Sequence, residues 1–409
     1  MTNKRWLTSC LIAVSASVAC LRGGRHTPTT KQAAAPEAPA VSHARSPQPY
    51  RPLHKGGADL STGLYIREDD DVFVNTPMPM VVRRTYLSGD RVSRQFGIGA
   101  MHPGEWWLYG DSDPRLPWAD LILANRSRVH FTLVSGTSLL DAVLRHDSTP
   151  TAFSGALLRW SGSTWEMRFR DGGLARFLGC AGAHDMCSLV ERRDADGHRI
   201  AYVRDASGRL LSMESEGDRI AFEYDDQKRI IRAYDDTSQH AVRYTYDEGG
   251  RLVRATASDG TIRTYAYDDR DELVEIREPG RIIRNWFDES GRFARQEVRA
   301  SEDDTDPYLA TARYVVDGRS VVQADFDEGD GLTRYRYNSY HYIVSETFDA
   351  DSAAPITFVY NRDATTNVIN DVTMACDGPA GPFTRRVLTS DRDDRVKHSL
   401  MSNFCRPRR

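Results

Sequence analysis

The sequence predicts an all-β fold: an antiparallel β-hairpin meander forming a curved repeat solenoid or partial shell. Three observations carry this expectation. The stretch 202–293 almost repeats itself, as Tyr202-Val-Arg-Asp-Ala-Ser-Gly-Arg-Leu210, Tyr224-Asp-Asp-Gln-Lys-Arg-Ile230, Tyr246-Asp-Glu-Gly-Gly-Arg-Leu252, Tyr267-Asp-Asp-Arg-Asp-Glu-Leu273 and Phe287-Asp-Glu-Ser-Gly-Arg-Phe293, with aromatic anchors 22, 22, 21 and 20 residues apart. A fixed period of that size marks a repeat architecture. Within one period the pattern alternates with the two-residue repeat of a strand: Tyr244 and Tyr246 share a face, with Arg243 and Thr245 between them. Turn signals bound every strand. Asp247-Glu-Gly-Gly250 reads as a tight reversal, because Asp starts turns through its side chain and Gly takes positive φ freely. Asp259-Gly260 is a hairpin signal. One period is therefore two strands of about seven residues and two turns.

Tyr-Asp-x-x-Gly-Arg-Leu recurring at this spacing resembles the YD repeat of the Rhs (rearrangement hot spot) and teneurin families. The match is clear over 180–295, and weaker copies continue at Tyr314, Phe326-Asp327, Tyr337-Asn338 and Tyr360-Asn361. The repeat region is accordingly placed at 179–365. The segment before it resembles the lead-in of Rhs proteins, in Asp59-Leu-Ser-Thr-Gly-Leu-Tyr65, Pro79-Met-Val-Val-Arg-Arg-Thr-Tyr86, Phe96-Gly-Ile-Gly99 and Asp171-Gly172-Gly173. Residues 53–178 are thus expected to be an Rhs-type β region packed at the start of the solenoid.

The chain begins with an export-type segment, 1–20. Lys4 and Arg5 precede an apolar run from Cys10 to Val18, followed by small residues. That run is shorter than the roughly 20 residues needed to cross a bilayer. Ser17-Val18-Ala19-Cys20 resembles a lipobox, although the family pattern prefers Leu where Ser17 stands; the resemblance implies acylation of Cys20 and an outer-membrane or cell-surface address. An ordinary secretory signal cut after Ala19 is the alternative. Residues 21–52 are rich in Ala, Pro, Thr and Gln, cannot bury a core, and read as a disordered tether. Residues 366–409 are expected to form a C-terminal cap on the last strand.

Composition excludes some classes. The formal net charge is −4, and acidic and basic residues are interspersed along strands. No basic block with interleaved aromatics appears, so no nucleic-acid partner is expected. Besides Cys10 and Cys20, four cysteines remain: Cys180, Cys187, Cys376 and Cys405. An even count in an exported chain suggests disulfides, and Cys180–Cys187 with Cys376–Cys405 is the simplest of three connectivities. A metal site is the rival reading, without supporting His/Cys spacing. Five of the seven tryptophans lie at Trp106, Trp107, Trp118, Trp160 and Trp165. Such residues stack sugars, but they also fill β cores and rims, and the second reading is favoured.

No catalytic constellation emerges. His-Glu-x-x-His, Gly-x-Ser-x-Gly, a phosphate loop and Cys-x-x-Cys are all absent from the sequence. His102, His130, His184 and His240 read as surface or satisfied residues. Asp325 to Gly331 and Asp303 to Asp306 faintly suggest calcium loops without the full pattern. No catalytic, cofactor or metal residue is assigned. Toxin-bearing Rhs proteins release a C-terminal toxin at an Asp-Pro-x-Gly-Leu element, and neither Asp113-Pro114 nor Asp306-Pro307 continues that way. The expectation is therefore a non-enzymatic, lipid-anchored YD-repeat scaffold at the bacterial envelope, without toxin cargo. Its partners would be the membrane, through Cys20, and a protein or glycan. An accessory component of an Rhs-type toxin-delivery system is the alternative, and an envelope glycan or peptide hydrolase is the second.

Overall fold

The computed structural model of the chain describes residues 56–388, apart from positions 103, 112, 114, 150, 179–185, 238–239 and 379–380. The export-type segment, the tether, Cys20, Cys180, His184 and Cys405 lie outside the described residues. Thirty-one strands and no helix make up the described chain.

Twenty-five of those strands, from Trp107–Gly110 to Gly381–Leu388, form one antiparallel sheet closed as a barrel. Strand Cys187–Arg193 is its junction. One edge pairs throughout with Leu174–Leu178, while the other is shared: Cys187 and Ser188 face Leu108 and Trp107, and Glu191 to Arg193 face the strand Arg199–Arg204. The strands from Trp107–Gly110 to Cys187–Arg193 thereby form a smaller ring, and the repeats leave it as a meander.

The repeat motif explains itself at atomic level. In the turn at Asp205, one carboxylate oxygen accepts from the amides of Ser207 and Arg209, at 2.9 and 3.0 Å, and the other accepts from Arg209 Nε at 2.6 Å. Asp225 holds Arg229 the same way, as Asp247 holds Arg251. The fourth turn residue is left-handed, with φ of 83° at Gly208 and 86° at Gly250, but Lys228 (64°) and Asp271 (62°) adopt it without being glycine. Each turn then grips the next period. Tyr224, Tyr246 and Tyr267 donate to the carbonyls of Leu210, Ile230 and Leu252, at 2.6, 2.6 and 2.9 Å. Arg209, Arg229 and Arg251 lie over those three rings. Leu210, Ile230, Leu252, Leu273 and Phe293 are buried beneath them.

The register slips by one residue beside the same turns. Tyr224 pairs with Ile230 but Glu223 with Arg232, which leaves Ile231 as a bulge; Leu211, Val253, Val274, Ala294 and Val344 occupy the equivalent place. Bulges increase local twist and bend a strand. One per period gives the meander the curvature that a closed shell requires.

The face that carries the repeat tyrosines is the core face. Tyr244 and Tyr265 are buried, Tyr224, Tyr246 and Tyr267 pack against the core, and the other face carries ladders such as Arg277–Glu275–Arg284–Glu302. Strands Ile369–Gly378 and Gly381–Leu388 add a further hairpin to the sheet beside Ile356–Arg362. One expectation is corrected. The N-terminal region does not sit at the start of the repeats as one unit. Residues from 107 onward build the ring, whereas Ala58–Asp59, Leu64–Val74, Met80–Leu87 and Ala100–Met101 form a separate four-stranded sheet. That sheet lies across the middle repeats, where Tyr65 stacks on Phe293 and meets Phe287 edge-on. A face of Tyr, Leu and Phe needs an apolar cover, and this hairpin supplies it.

Candidate functional site

Where the hairpin crosses the repeats, charge is buried. Asp69 and Asp71 sit two apart on Leu64–Val74 and so share a face, and Arg84 stands opposite on Met80–Leu87. Arg84 is 5% exposed. Its Nε donates to Asp71 Oδ2 at 2.5 Å and its Nη2 to the Tyr265 hydroxyl at 2.6 Å. Asp71 also accepts from Tyr244 at 2.8 Å and from Arg263 Nη1 at 2.9 Å. Asp69 accepts from Arg67 and Tyr265, and Arg67 reaches on to Glu278 at 2.9 Å. Three guanidiniums thus meet three carboxylates. Burial alone would raise the Asp69 carboxyl, but Arg84 and Arg67 outweigh it and hold the group below its ordinary value. Burial, aided by the Asp71 charge, pushes the Tyr244 hydroxyl well up, so the phenol stays a donor. The arrangement fastens the hairpin to the repeats.

A second buried group lies at the ring's edge. His102 accepts from the Gly104 amide at Nδ1 (3.0 Å) and pairs with Gln95 at Nε2 (3.1 Å); Tyr224 donates to the same Gln95 oxygen. Burial pushes His102 down to about 3, and the Arg204 charge adds to it. Burial pushes Glu105 up to about 7 against the pull of Arg94 and of its hydrogen bond from the His102 amide. A neutral imidazole with both nitrogens engaged is a packing residue.

The other candidates resolve into turn chemistry. Asp194, Asp196 and His198 are the grouping of possible metal ligands among the described residues. Asp194 already accepts from the amides of Asp196 and His198 and from His198 Nδ1, which is the repeat's own Asp turn. Asp325 is held by both arms of Arg334, Asp327 by the Gly329 amide, and Asp304 by the amides of Ala300 and Asp306. His130 pairs with Asp120 at 2.7 Å. Cys187 and Cys376 are buried on strands far apart in the sheet.

Sequence reasoning missed the Asp69–Asp71–Arg84 group. Arg67-Glu68-Asp69-Asp70-Asp71 reads as a solvated strand, and in fact Asp70 pairs with Arg83 on the more exposed side while Asp69 and Asp71 turn inward. The usable signal was Arg83-Arg84 on the next strand, one guanidinium for each face of the acidic run.

Compared with known proteins, residues 185–375 match the family model of the teneurin YD-shell, and residues 58–131 match a domain of unknown function (DUF6531). The chain is 26% identical over 223 residues to double-stranded DNA deaminase toxin A of Burkholderia cenocepacia (strain H111), covering 51% of this chain and 14% of that protein. It is 35% identical over 170 residues to toxin protein Tse5 of Pseudomonas aeruginosa, covering 37% of this chain and 13% of that one. The matched stretch is about a seventh of the length of either relative. Among solved structures, the crystal structure of TcdB2-TccC3-TEV is 13% identical with a TM-score of 0.29, over 80% of this chain and 23% of that one. The structure of the Photorhabdus luminescens Tc holotoxin pore is 12% identical with a TM-score of 0.23, over 83% and 28%.

Proposed function

The chain belongs to the Rhs/YD-repeat family, and from that premise we propose that it is an exported, non-enzymatic shell component of an Rhs-type toxin system, held at the bacterial envelope. The observation that carries this reading is that the chain's own hairpin covers the core face of the middle repeats, through Tyr65, Tyr86, Arg84 and Asp71. A shell filled in this way serves as a scaffold, and its outer surface is what a partner meets. The likeness to two proteins named as toxins supports export and a place in such a system.

In this reading Cys20 carries a lipid anchor to the outer membrane or cell surface, and 21–52 is the tether. Disulfides Cys180–Cys187 and Cys376–Cys405 pin the ring and the last hairpin. Cys187 and Cys376 are both buried, as the proposed pairing requires. No nucleic acid is engaged: the net charge is −4 and the exposed charges form paired ladders.

Crosslinking in intact cells followed by pull-down tests the proposal. Recovery of a toxin-system protein is the expected result. Recovery of the chain as a free species, with no protein or glycan attached, would sink it. Cys20→Ser should release the protein from membranes and abolish acyl labelling.

A further inference from the structure

The outer face of the ring carries a charge imbalance that shell building does not use. Leu158, Met167, Ala175 and Ile200 belong to the core, so the alternate residues of their strands face outward. The register runs Arg159, Glu166, Arg176 and Glu191 in one line across four strands, and Arg193 stands opposite Arg199 beyond it. Glu166 accepts from Arg168 and Arg176, both at 3.1 Å, and Glu191 from Arg176 at 3.2 Å and Arg193 at 2.9 Å. Burial would raise the Glu166 carboxyl, but Arg176 and Arg168 outweigh it and hold the group below its ordinary value. Arg159 and Arg199 stand 3.9 and 3.7 Å from these carboxylates, beyond hydrogen-bond reach, with side chains 51% and 58% exposed. Five guanidiniums thus share two carboxylates whose own side chains are only 8% and 12% exposed. Ladders elsewhere are closer to balance or lean the other way. Arg277, Arg284, Arg295 and Arg299 meet Glu275, Glu297 and Glu302, and Arg219 meets Glu214 and Asp236. Asp171 and Asp194 lie at the turns that end these strands, where each accepts from its own turn amides.

We propose that this face docks on the phosphate-bearing headgroups of an anionic lipid surface. The excess positive charge calls for an anion, and all of it is guanidinium, whose planar fork matches phosphate oxygens two at a time. The glutamates fix the inner arginines, so their order is set before a ligand arrives, while each guanidinium has more N–H donors than the two carboxylates use. The array runs from Ala156–Trp160 to Arg199–Arg204, four strand spacings of about 4.8 Å and so about 19 Å in all. That is wide for one small anion and suits a field of headgroups. Leu157 and Leu178 are exposed on the same face, as residues meeting the boundary between headgroups and acyl chains are. Single-stranded nucleic acid would want aromatic rings to stack on, and the outward residues of these rows include none. The inference rests on the envelope reading for its choice of a membrane, but it does not involve Cys20. Loss of anchoring by Cys20→Ser leaves it intact, and failure of the arginine face leaves the anchoring reading intact.

The test is co-sedimentation of the full chain carrying Cys20→Ser, so that no acyl anchor contributes, with vesicles of phosphatidylglycerol and phosphatidylcholine and with vesicles of phosphatidylcholine alone. Binding to the anionic vesicles, and its loss at about 0.5 M salt, is expected. Arg159→Gln and Arg199→Gln remove the two guanidiniums that make no hydrogen bond to Glu166 or Glu191, so the fold keeps its inner pairs, and each should weaken binding about fivefold. Arg277→Gln, on the nearly balanced ladder of the repeats, should leave binding unchanged. Equal binding to both kinds of vesicle, or binding unchanged in the Arg159→Gln/Arg199→Gln double variant, overturns the proposal. A tighter hold on polyglutamate or on single-stranded DNA than on the anionic vesicles overturns it too, because the face would then serve a different partner.

Discussion

Arg84 is the residue on which the docking of the hairpin turns, and replacing it with Met tests that directly. Arg84→Met keeps the length and apolar stem of the side chain but removes one of three guanidiniums facing Asp69, Asp71 and Glu278. Asp71 is fully buried and keeps only Arg263 and Tyr244 as donors. Removing one partner of a buried ion pair costs about 3–5 kcal/mol, because the remaining charge is left uncompensated. Equilibrium urea unfolding should show a loss of that size. Hydrogen exchange should locate it, with amides of Leu64–Val74 and Met80–Leu87 losing protection before those of the repeat strands. Asp71→Asn should cost less in the Arg84→Met background than in the native chain, the mark of coupled residues. The Asp69 carboxyl, held below its ordinary value, adds a pH signature. Its contribution is present above its unfolded pKa of about 3.9 and is lost as pH falls through the lower folded value. A loss under about 1 kcal/mol, the size of an exposed pair, would refute the idea that this network fastens the hairpin.

Three further outcomes are expected. A Cβ built on Gly208 meets nothing within 4 Å, so Gly208→Ala reports backbone strain alone and should destabilise by about 1 kcal/mol, whereas Lys228→Gly, at a φ of 64°, should stabilise by about 0.5–1 kcal/mol; both are read from urea midpoints. Tyr246→Phe deletes the 2.6 Å bond to the Ile230 carbonyl and should cost about 0.5–1.5 kcal/mol by the same assay, and a neutral result would remove the hydroxyl from the account of the repeat. Glu105 titrates near 7 in the fold, above its ordinary 4.5, so it favours the folded state fully below 4.5 and that contribution disappears as pH rises through 7; Glu105→Gln should flatten that decline in a melting-temperature series.

What could be read from the sequence follows the range of the contacts. The Asp turn closes within four residues, and the Tyr246 bond to Ile230 spans 16, so the motif writes its own local physics into each period. The core positions Leu252, Leu273 and Phe293 follow from it. The bulges were not read, although two adjacent apolar residues after each turn, as in Leu210-Leu211 and Ile230-Ile231, were in plain view. Alternation assigns the second of each pair to the solvent, and only pairing shows that it is an extra residue. The network was illegible for a different reason: Tyr244 and Asp71 lie 173 residues apart, and Tyr265 and Asp69 lie 196 apart. Nothing local tells an acidic strand which carboxylates face inward.

Those long contacts change how stability should be distributed. A solenoid whose repeats touch only their neighbours has a stability that is a sum of unit and interface terms, and it unfolds from its ends. Here the N-terminal segment touches repeats far apart in the chain. Ile230 donates to the Gln95 carbonyl, Phe293 to that of Gly63, and His341 pairs with the Ser61 carbonyl. The turn at Asn367 bonds Ser148 in the ring, 219 residues away. Each such contact ties a repeat to the N-terminal segment or to the ring, so fraying of the last hairpins must also break contacts with both. Unfolding should therefore be more cooperative than in an open array, with protection against exchange nearly level from Tyr202 to Tyr337. A gradient falling steadily toward the last strands would show that the repeats behave as a linear chain after all.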